Sequence, residues 1–536
     1  MRASGTLLLF PVTLAVLLAA GPASARTTIT PYIQAEQVFS ADLSGHDSDN
    51  VTYTGLGAGV DIQFDSAHLH GQIDYQYNHY FSWSKRYRDT DLHQGLGSVH
   101  YAVAPGLTLD ASGVATRTRG SLNRSSPGLL DGDFDNTNQV YGIDAGPTYQ
   151  GHLGDFDVNA RYRFGWVKST DGTGIDLGPG GPVLSNNFTD MSHTVDASVG
   201  QRPGVALPFG WTASGGYIRD QVHFLDARYT GAFGRVDIEQ PVSPTLALLA
   251  GAGYQSDKSG QAALLTDADG NARLTANRHL QGDRSKPRVL SYDQDGLVWD
   301  VGVLWRPSSR TSLRIRGGQR YGQTVVTGEF THQITPNVSV QVVAYDDITS
   351  FGRQVSSGID GLPANFSSPI ASVPMSLSGC VFGANGGQGA CLPGLTSVNS
   401  NFYRSRGIYG MISGQRGLWG WGLGLNYDNR HYFAPKDGTA AATFAGVDEE
   451  TVTLNGVVQR RLSAMSSVTG NVYAAWYDGG LSGGGHYTTY GATVSYNRNI
   501  TRRLSGDASV SVYSGSGGTV DQDVIGSAQI GVRYTL

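Results

Sequence analysis

The chain has 536 residues, of which 39% are hydrophobic and 15% charged, with 74 Gly, 27 Tyr, 2 Cys and a net charge of −6. A soluble domain carries about a quarter charged residues, so a shortage of charge without a surplus of apolar residues fits a surface that meets lipid through singly placed side chains. The acidic balance leaves no basic footprint for nucleic acid, and after residue 25 no apolar run approaches the roughly 20 residues of a spanning helix.

Met1 to Ala25 reads as a secretory signal peptide. Arg2 supplies the positive start, Leu7 to Ala20 the apolar run, and Ala23-Ser24-Ala25 the small-residue cleavage site. Pro11 breaks the run, no stop-transfer charges follow it, and no Cys follows the cleavage site to carry a lipid anchor. The mature chain, 26–536, is expected to begin near Arg26, to enter an oxidising compartment and to form a single domain.

From Thr28 onward one unit recurs: about ten residues of alternating character, then a break. In Ala67 to Phe81, Leu69, Ile73, Tyr75, Tyr77 and Phe81 share one face, while His68, His70, Gln72, Asp74, Gln76 and Asn78 share the other. Phe156 to Trp166 alternates in the same way, as do Trp419 to Asp428, Val468 to Trp476 and Tyr490 to Asn497. No stretch shows sustained helical periodicity, which makes the chain all-β.

The breaks are of two kinds that take turns. Short ones hold Pro, Gly or Ser, as in Ala104-Pro105-Gly106, Arg202-Pro203-Gly204, Arg306-Pro307-Ser308 and Thr335-Pro336-Asn337. Long ones, 118–138, 168–189, 256–294, 346–400 and 433–448, are polar and glycine-rich. A transmembrane antiparallel barrel shows this alternation, with short periplasmic turns and long extracellular loops. The count is about 22 strands, within a range of 20–24. Closure is required because backbone N–H and C=O groups in hydrocarbon must be paired, and an open sheet leaves edges unpaired. Trp419, Trp421, Tyr427, Tyr162 and Trp166, toward strand ends, are expected in the interfacial girdles.

The last stretch, Asp523 to Leu536, puts Leu536, Tyr534, Val532, Ile530 and Ala528 on one face, and Thr535, Arg533, Gly531 and Gln529 on the other. An aromatic third from the end and a hydrophobic final residue resemble the closing strand of bacterial outer-membrane barrels. The resemblance implies that Ile530, Val532, Tyr534 and Leu536 form the signal read by the barrel-assembly machinery during insertion.

Few residues invite chemistry. Cys380 and Cys391, close together in an exported chain with a glycine-rich stretch between, are expected to form a disulfide rather than a two-thiol metal site. Asp131-Gly132-Asp133-Phe134-Asp135-Asn136 and Asp267-Ala268-Asp269-Gly270-Asn271 resemble the start of a calcium loop but lack its closing glutamate, and turn chemistry accounts for them. His68 and His70 have no third ligand. There is no H-E-x-x-H, phosphate loop or G-x-S-x-G, and Gly515-Ser516-Gly517 lacks the setting of a nucleophile elbow. The expectation is a non-enzyme with no cofactor and no metal. The candidate lumen-lining charges are the same-face pairs Arg161 and Arg163, Arg314 and Arg316, Arg404 and Arg406, with Asp74 and Asp157 in the polar phase of their strands. A lumen with both signs and many amides and hydroxyls suits hydrated or sugar-like cargo; the alternative is that these charges only fill and cross-link it.

The opening Ile29-Thr30-Pro31-Tyr32-Ile33, then Glu36, Val38-Phe39 and Asp47-Ser48-Asp49-Asn50-Val51-Thr52-Tyr53, with later turns such as Ala104-Pro105-Gly106-Leu107-Thr108-Leu109-Asp110, resembles the exopolysaccharide- and exosortase-system (PEP-CTERM) associated outer-membrane proteins of the putative β-barrel porin type 2 group. That resemblance implies an outer-membrane location in a Gram-negative bacterium, a part in polysaccharide export or surface attachment, and no catalytic residues. The expected function is a pore or export channel for exopolysaccharide or other hydrated solutes; the alternative is a structural or adhesive barrel with a closed lumen and functional surface loops. Expected partners are outer-membrane lipid and lipopolysaccharide, the assembly machinery and polysaccharide-export components. Strands that begin almost at Thr28 leave no room for a plug domain ahead of the barrel.

Overall fold

A computed structural model describes residues 26–44, 50–83, 89–119, 137–170, 175–176, 183–185, 187–268, 272–367, 380–383, 387, 389–396, 398–436, 446–480, 486–517 and 520–536. The segment 1–25 and the acidic stretch 131–136 lie outside them.

Alternation builds one large sheet of 22 strands. Its first half comprises β1 (Arg26–Asp42), β2 (Val51–Asp65), β3 (Leu69–Ser82), β4 (Thr90–Ala104), β5 (Leu107–Arg119), β6 (Thr137–Leu153), β7 (Phe156–Thr170), β8 (Phe188–Gln201), β9 (Gly210–Val222), β10 (Ala227–Ser243) and β11 (Leu246–Gln261). The second half comprises β12 (Val289–Ser308), β13 (Thr311–Arg320), β14 (Gln323–Thr335), β15 (Val338–Thr349), β16 (Tyr403–Arg416), β17 (Trp419–Tyr432), β18 (Asp448–Ser463), β19 (Ser466–Asp478), β20 (His486–Asn499), β21 (Leu504–Gly517) and β22 (Val520–Thr535). Each strand pairs antiparallel with its chain neighbour. The ring closes where β1 meets β22, in register from Tyr32↔Thr535 to Asp42↔Ile525. Every strand of the ring has a partner on both sides, so the ladder satisfies its own backbone groups along the paired band. Gly515-Ser516-Gly517 belongs to β21 rather than to a loop.

Short turns gather at the end that holds both termini, and the long connections at the other. Gly417, at φ 59°, makes the two-residue turn between β16 and β17, a conformation that costs glycine nothing. Along β12 the outward set, Leu297, Trp299, Val301 and Val303, is exposed, Leu297 to 82%, while Val298 and Leu304 face inward and are buried. An exterior of exposed apolar side chains over an interior of polar ones inverts a soluble protein and fits hydrocarbon outside. Among the described residues no helix is long and apolar enough to cross a membrane.

The wall is uneven at its loop end. β12 has 20 residues and β13 only 10. The β13–β14 ladder ends at Arg320↔Gln323, and β14–β15 pairing stops at Gly328↔Ala344, although β15–β16 continues to Thr349↔Tyr403. The short hairpin leaves a notch in the rim. Phe433, beyond β17, reaches across it to stack on Tyr292 at 4.6 Å, and the Lys436 amide donates to the Leu290 carbonyl at 2.8 Å.

The connection between β15 and β16 turns inward. It opens with a helix, α1 (Phe351–Asp360), capped by Ser350, whose hydroxyl oxygen accepts from the Arg353 amide at 3.0 Å. Phe351, Val355 and Ile359 recur every four residues on the helix and are fully buried. They join Leu362, Phe366, Val381, Leu392, Leu395 and Phe402 in the main apolar cluster, together with the inner-wall residues Val114, Val140, Val167 and Tyr229. The chain therefore contains a helix that strand periodicity alone does not announce, and its largest core lies inside the barrel.

A plugged lumen as candidate functional site

The inner wall is set by strand parity. On β7 the inward residues include Arg161, Arg163 and Gly165, and each contributes to the plug. Arg163 donates from Nη2 to Asp110 at 2.7 Å and from Nε to Asp360, on the last turn of α1, at 2.8 Å; its Nε also lies 3.5 Å from Asp144. Arg161 pairs with the same Asp360. Gly165 leaves room for Ser356, whose Oγ would lie 2.6 Å from any Cβ added there. One carboxylate thus latches the helix end to two wall arginines.

The start of the helix is held by the next strands. The Ser350 hydroxyl donates to Asp220 at 2.7 Å, and the Gly352 amide donates to Asp190 at 3.0 Å. Arg353 lies 3.7 Å from Asp220, with its guanidinium 4.8 Å from the Tyr229 ring centroid. Burial, the largest single influence, would lower the Arg353 pKa, but Asp220 together with Tyr229, Asp347 and Tyr321 outweighs it and raises the group above its usual value. The helix enters the lumen as a charged body tied to the wall by ion pairs and hydrogen bonds.

The opposite wall holds the rest. Gln354 donates to the Ser405 hydroxyl at 3.2 Å and accepts from the Tyr403 hydroxyl at 2.6 Å, while Asp428 accepts from Ser405 at 2.5 Å and from Arg430 at 2.7 Å. Cys380 and Cys391 face each other in a short ladder with their sulfur atoms bonded. They pack with Phe382 against Met411, Tyr409 and Val457. Glycine makes the seat: a Cβ at Gly422 would lie 2.5 Å from the Phe382 ring, and one at Gly424 would lie 2.5 Å from Cys380 Sγ. On the far side the Ser98 hydroxyl donates to the Leu362 carbonyl and the Phe366 amide donates to Gln72, at 3.5 and 3.4 Å. The described parts of 350–402 therefore reach both sides of the lumen, moored to β3–β9 on one side and to β16–β18 on the other.

Away from the plug the wall charges neutralise each other. Arg235, Asp237, Asp300 and Arg316 form a closed quartet with contacts of 2.6–2.7 Å. Arg314, one inward position from Arg316, makes no ion pair among the described residues. Asp74 accepts from Gln72 at 2.8 Å on the inner face of β3. Asp157 sits at the terminal rim and accepts from Arg202 Nε at 2.9 Å. His70 lies 3.8 Å from Asp65.

Arg404 and Arg406 correct the sequence reading of the lumen. Both share the parity of Ile408, which is 47% exposed on the outer face, whereas Tyr403, Ser405 and Met411 point in. Instead of lining the lumen they turn into the notch, where Arg404 Nε meets Asp346 at 2.6 Å and Arg406 meets Gln323. Spacing two residues apart establishes a shared face and leaves open which face it is. The same parity places Ile530, Val532, Tyr534 and Leu536 outward, exposed to 64%, 50%, 41% and 63%.

The residues that the sequence reading missed are Asp360 and Gln354 on the plug helix and the wall carboxylates Asp190 and Asp220 that hold its start. The available signal was Ser350 followed by Phe351, Val355 and Ile359, an N-cap before an i, i+4, i+8 apolar stripe. Among the described residues no group of three or more His, Cys, Asp or Glu could hold a metal ion. Of the second acidic stretch only Asp267 and Ala268 are described.

No protein-family model matches the chain, and no curated protein matches it. Among solved structures it is similar to the FrpB iron transporter from Neisseria meningitidis (F5-1 variant), at 11% identity and a TM-score of 0.44, over 95% of this chain and 82% of that one. It is also similar to the siderophore receptor PirA from Acinetobacter baumannii, at 11% identity and a TM-score of 0.41, over 95% and 81%. A third is a mutant of the ferric enterobactin receptor PfeA from Pseudomonas aeruginosa in complex with enterobactin, at 11% identity and a TM-score of 0.40, over 94% and 81%. The ladders described above establish the barrel in their own right: the chain is a 22-stranded antiparallel β-barrel with an apolar exterior.

Proposed function

We propose that this barrel is a gated transporter of a hydrated, polar solute, closed at rest by its own segment 350–402. The observation that carries this reading is the mooring of α1. The helix is tied across the lumen by side-chain ion pairs and hydrogen bonds, Asp360 to Arg161 and Arg163 and Gln354 to Tyr403 and Ser405, which water replaces when the segment moves. An open passive pore would leave this path clear. Closure at rest fits a barrel that opens on a trigger, as a ligand-specific receptor does, and the amide- and hydroxyl-rich wall suits a sugar-like cargo such as an exported polysaccharide.

A second reading, a structural or adhesive barrel with a permanently closed lumen, is favoured by the apolar packing of Phe351, Val355, Ile359, Leu392 and Leu395 around the plug. The two are separated in cells. A strain lacking the gene is complemented with the wild-type chain or with Arg161→Gln/Arg163→Gln, and secreted polysaccharide and cell-surface attachment are measured. Transport predicts that secretion falls in the deletion strain, returns with the wild-type chain and is altered by the latch variant. Unchanged secretion with lost attachment would instead establish the adhesive role.

A further inference from the structure

On the outer wall, at the terminal end, Arg416, Trp419 and Arg460 occupy one register row across β16, β17 and β18, with Arg416↔Trp419 and Trp419↔Arg460 as direct partners. All three point outward and are exposed, Trp419 to 46%. The Arg460 guanidinium stands 4.9 Å from the Trp419 ring centroid, a cation–π arrangement that fixes its heading. Arg416 flanks the indole from the other strand. The next outward row is Trp421 and Val458, and with Leu418 in the turn these side chains line a hollow of about 610 Å³. Among the described residues no carboxylate lines it, so both guanidinium groups present their donors to an outside ligand.

We propose that this hollow is a binding site for an anionic glycerophospholipid of the periplasmic leaflet. Its phosphodiester would be held between Arg416 and Arg460, and its acyl chain would lie over Trp421 and Val458. The chemistry is matched at both levels. Guanidinium groups present forked donors to phosphate oxygens, and long cationic side chains place their heads at the interface while their stems stay on apolar surface. Leu418 and Trp419 lie at the turn that ends the hydrocarbon band, where a phosphate stands. The row lies on the terminal side of the wall, where short turns face the periplasm, so phospholipid rather than lipopolysaccharide is the occupant.

The test uses the full chain in detergent micelles. Phosphatidylglycerol is added and retained lipid is counted by native mass spectrometry, with Trp quenching by a brominated phosphatidylglycerol as a second readout. Wild type should retain the lipid. Arg416→Gln/Arg460→Gln should retain about tenfold less, the loss of charge-assisted bonds to one phosphate, and lose the quenching. Arg219→Gln/Lys258→Gln, on the outer face at the opposite end, should behave as wild type. Heat-modifiable migration confirms that each variant is folded. The proposal is overturned if the double arginine variant retains wild-type lipid, if the opposite-end variant loses as much, or if millimolar inorganic phosphate displaces the lipid, which would make the site one for free phosphate.

Discussion

Asp360 concentrates the latch into one carboxylate. It meets Arg163, which is mostly buried, and Arg161, which is half exposed, so solvent screens only part of the interaction. Asp360→Asn should therefore weaken the mooring by roughly 1–3 kcal/mol, the range for hydrogen bonds to charged groups. The expected readout is faster hydrogen exchange of the 351–360 amides with the barrel amides unchanged; unchanged exchange in the helix would show that the apolar stripe alone holds it. Gly424→Val tests the opposite wall. The added carbons meet Cys380 Sγ, where a Cβ already stands at 2.5 Å, and overpacking of this kind costs about 1–3 kcal/mol. The barrel should still assemble, with 380–391 becoming more accessible to limited proteolysis, and protection equal to wild type would count against the seat. Residues like these were only partly legible in the sequence. Arg161 and Arg163 could be placed on a polar face because β7 alternates cleanly. Arg404 and Arg406 could not, because β16 offers Ile408 and Ile412 on one parity and Tyr403, Tyr409 and Met411 on the other, and an apolar plug reverses what an inner face looks like.

At the scale of elements, the strands follow from alternation and turn chemistry, and the plug does not. The β15–β16 connection is rich in Ser, Gly and Pro, which reads as a surface loop, and its helix has only 10 residues, too short for a sustained periodic signal. Its apolar stripe is stable because the barrel supplies the other half of the core; in water a helix of this length would be marginal. The Cys380–Cys391 bond closes 11 residues and in the loop-entropy account contributes about 3 kcal/mol to the order of that hairpin. Cys380→Ser/Cys391→Ser should leave the heat-modifiable barrel band intact while raising the open probability of the channel. Identical gating in the two forms would confine the disulfide to assembly.

The whole molecule is governed by closure. Alternating segments, with short breaks taking turns with long ones, make a ring of about 22 strands, 20 to 24, legible in the sequence, and a ring whose ends return to one side needs an even number. The notch at β13–β14 was not legible, since ladder length depends on where neighbours stop pairing. Removing residues 534–536 should block assembly, since Tyr534 and Thr535 make the terminal pairs of the seam with Ile33 and Tyr32; the expected result is loss of the heat-modifiable form and accumulation of degraded chain, whereas normal insertion would show that the seam tolerates a free end. The claim on which the functional account depends is that segment 350–402 shuts the lumen. Single-channel recording in planar bilayers compares the wild-type barrel with one in which 351–401 is replaced by a short Gly-Ser linker. The account predicts a silent or rarely opening wild type and a large, steady conductance in the shortened chain; a wild type that conducts as freely as the shortened barrel would contradict it.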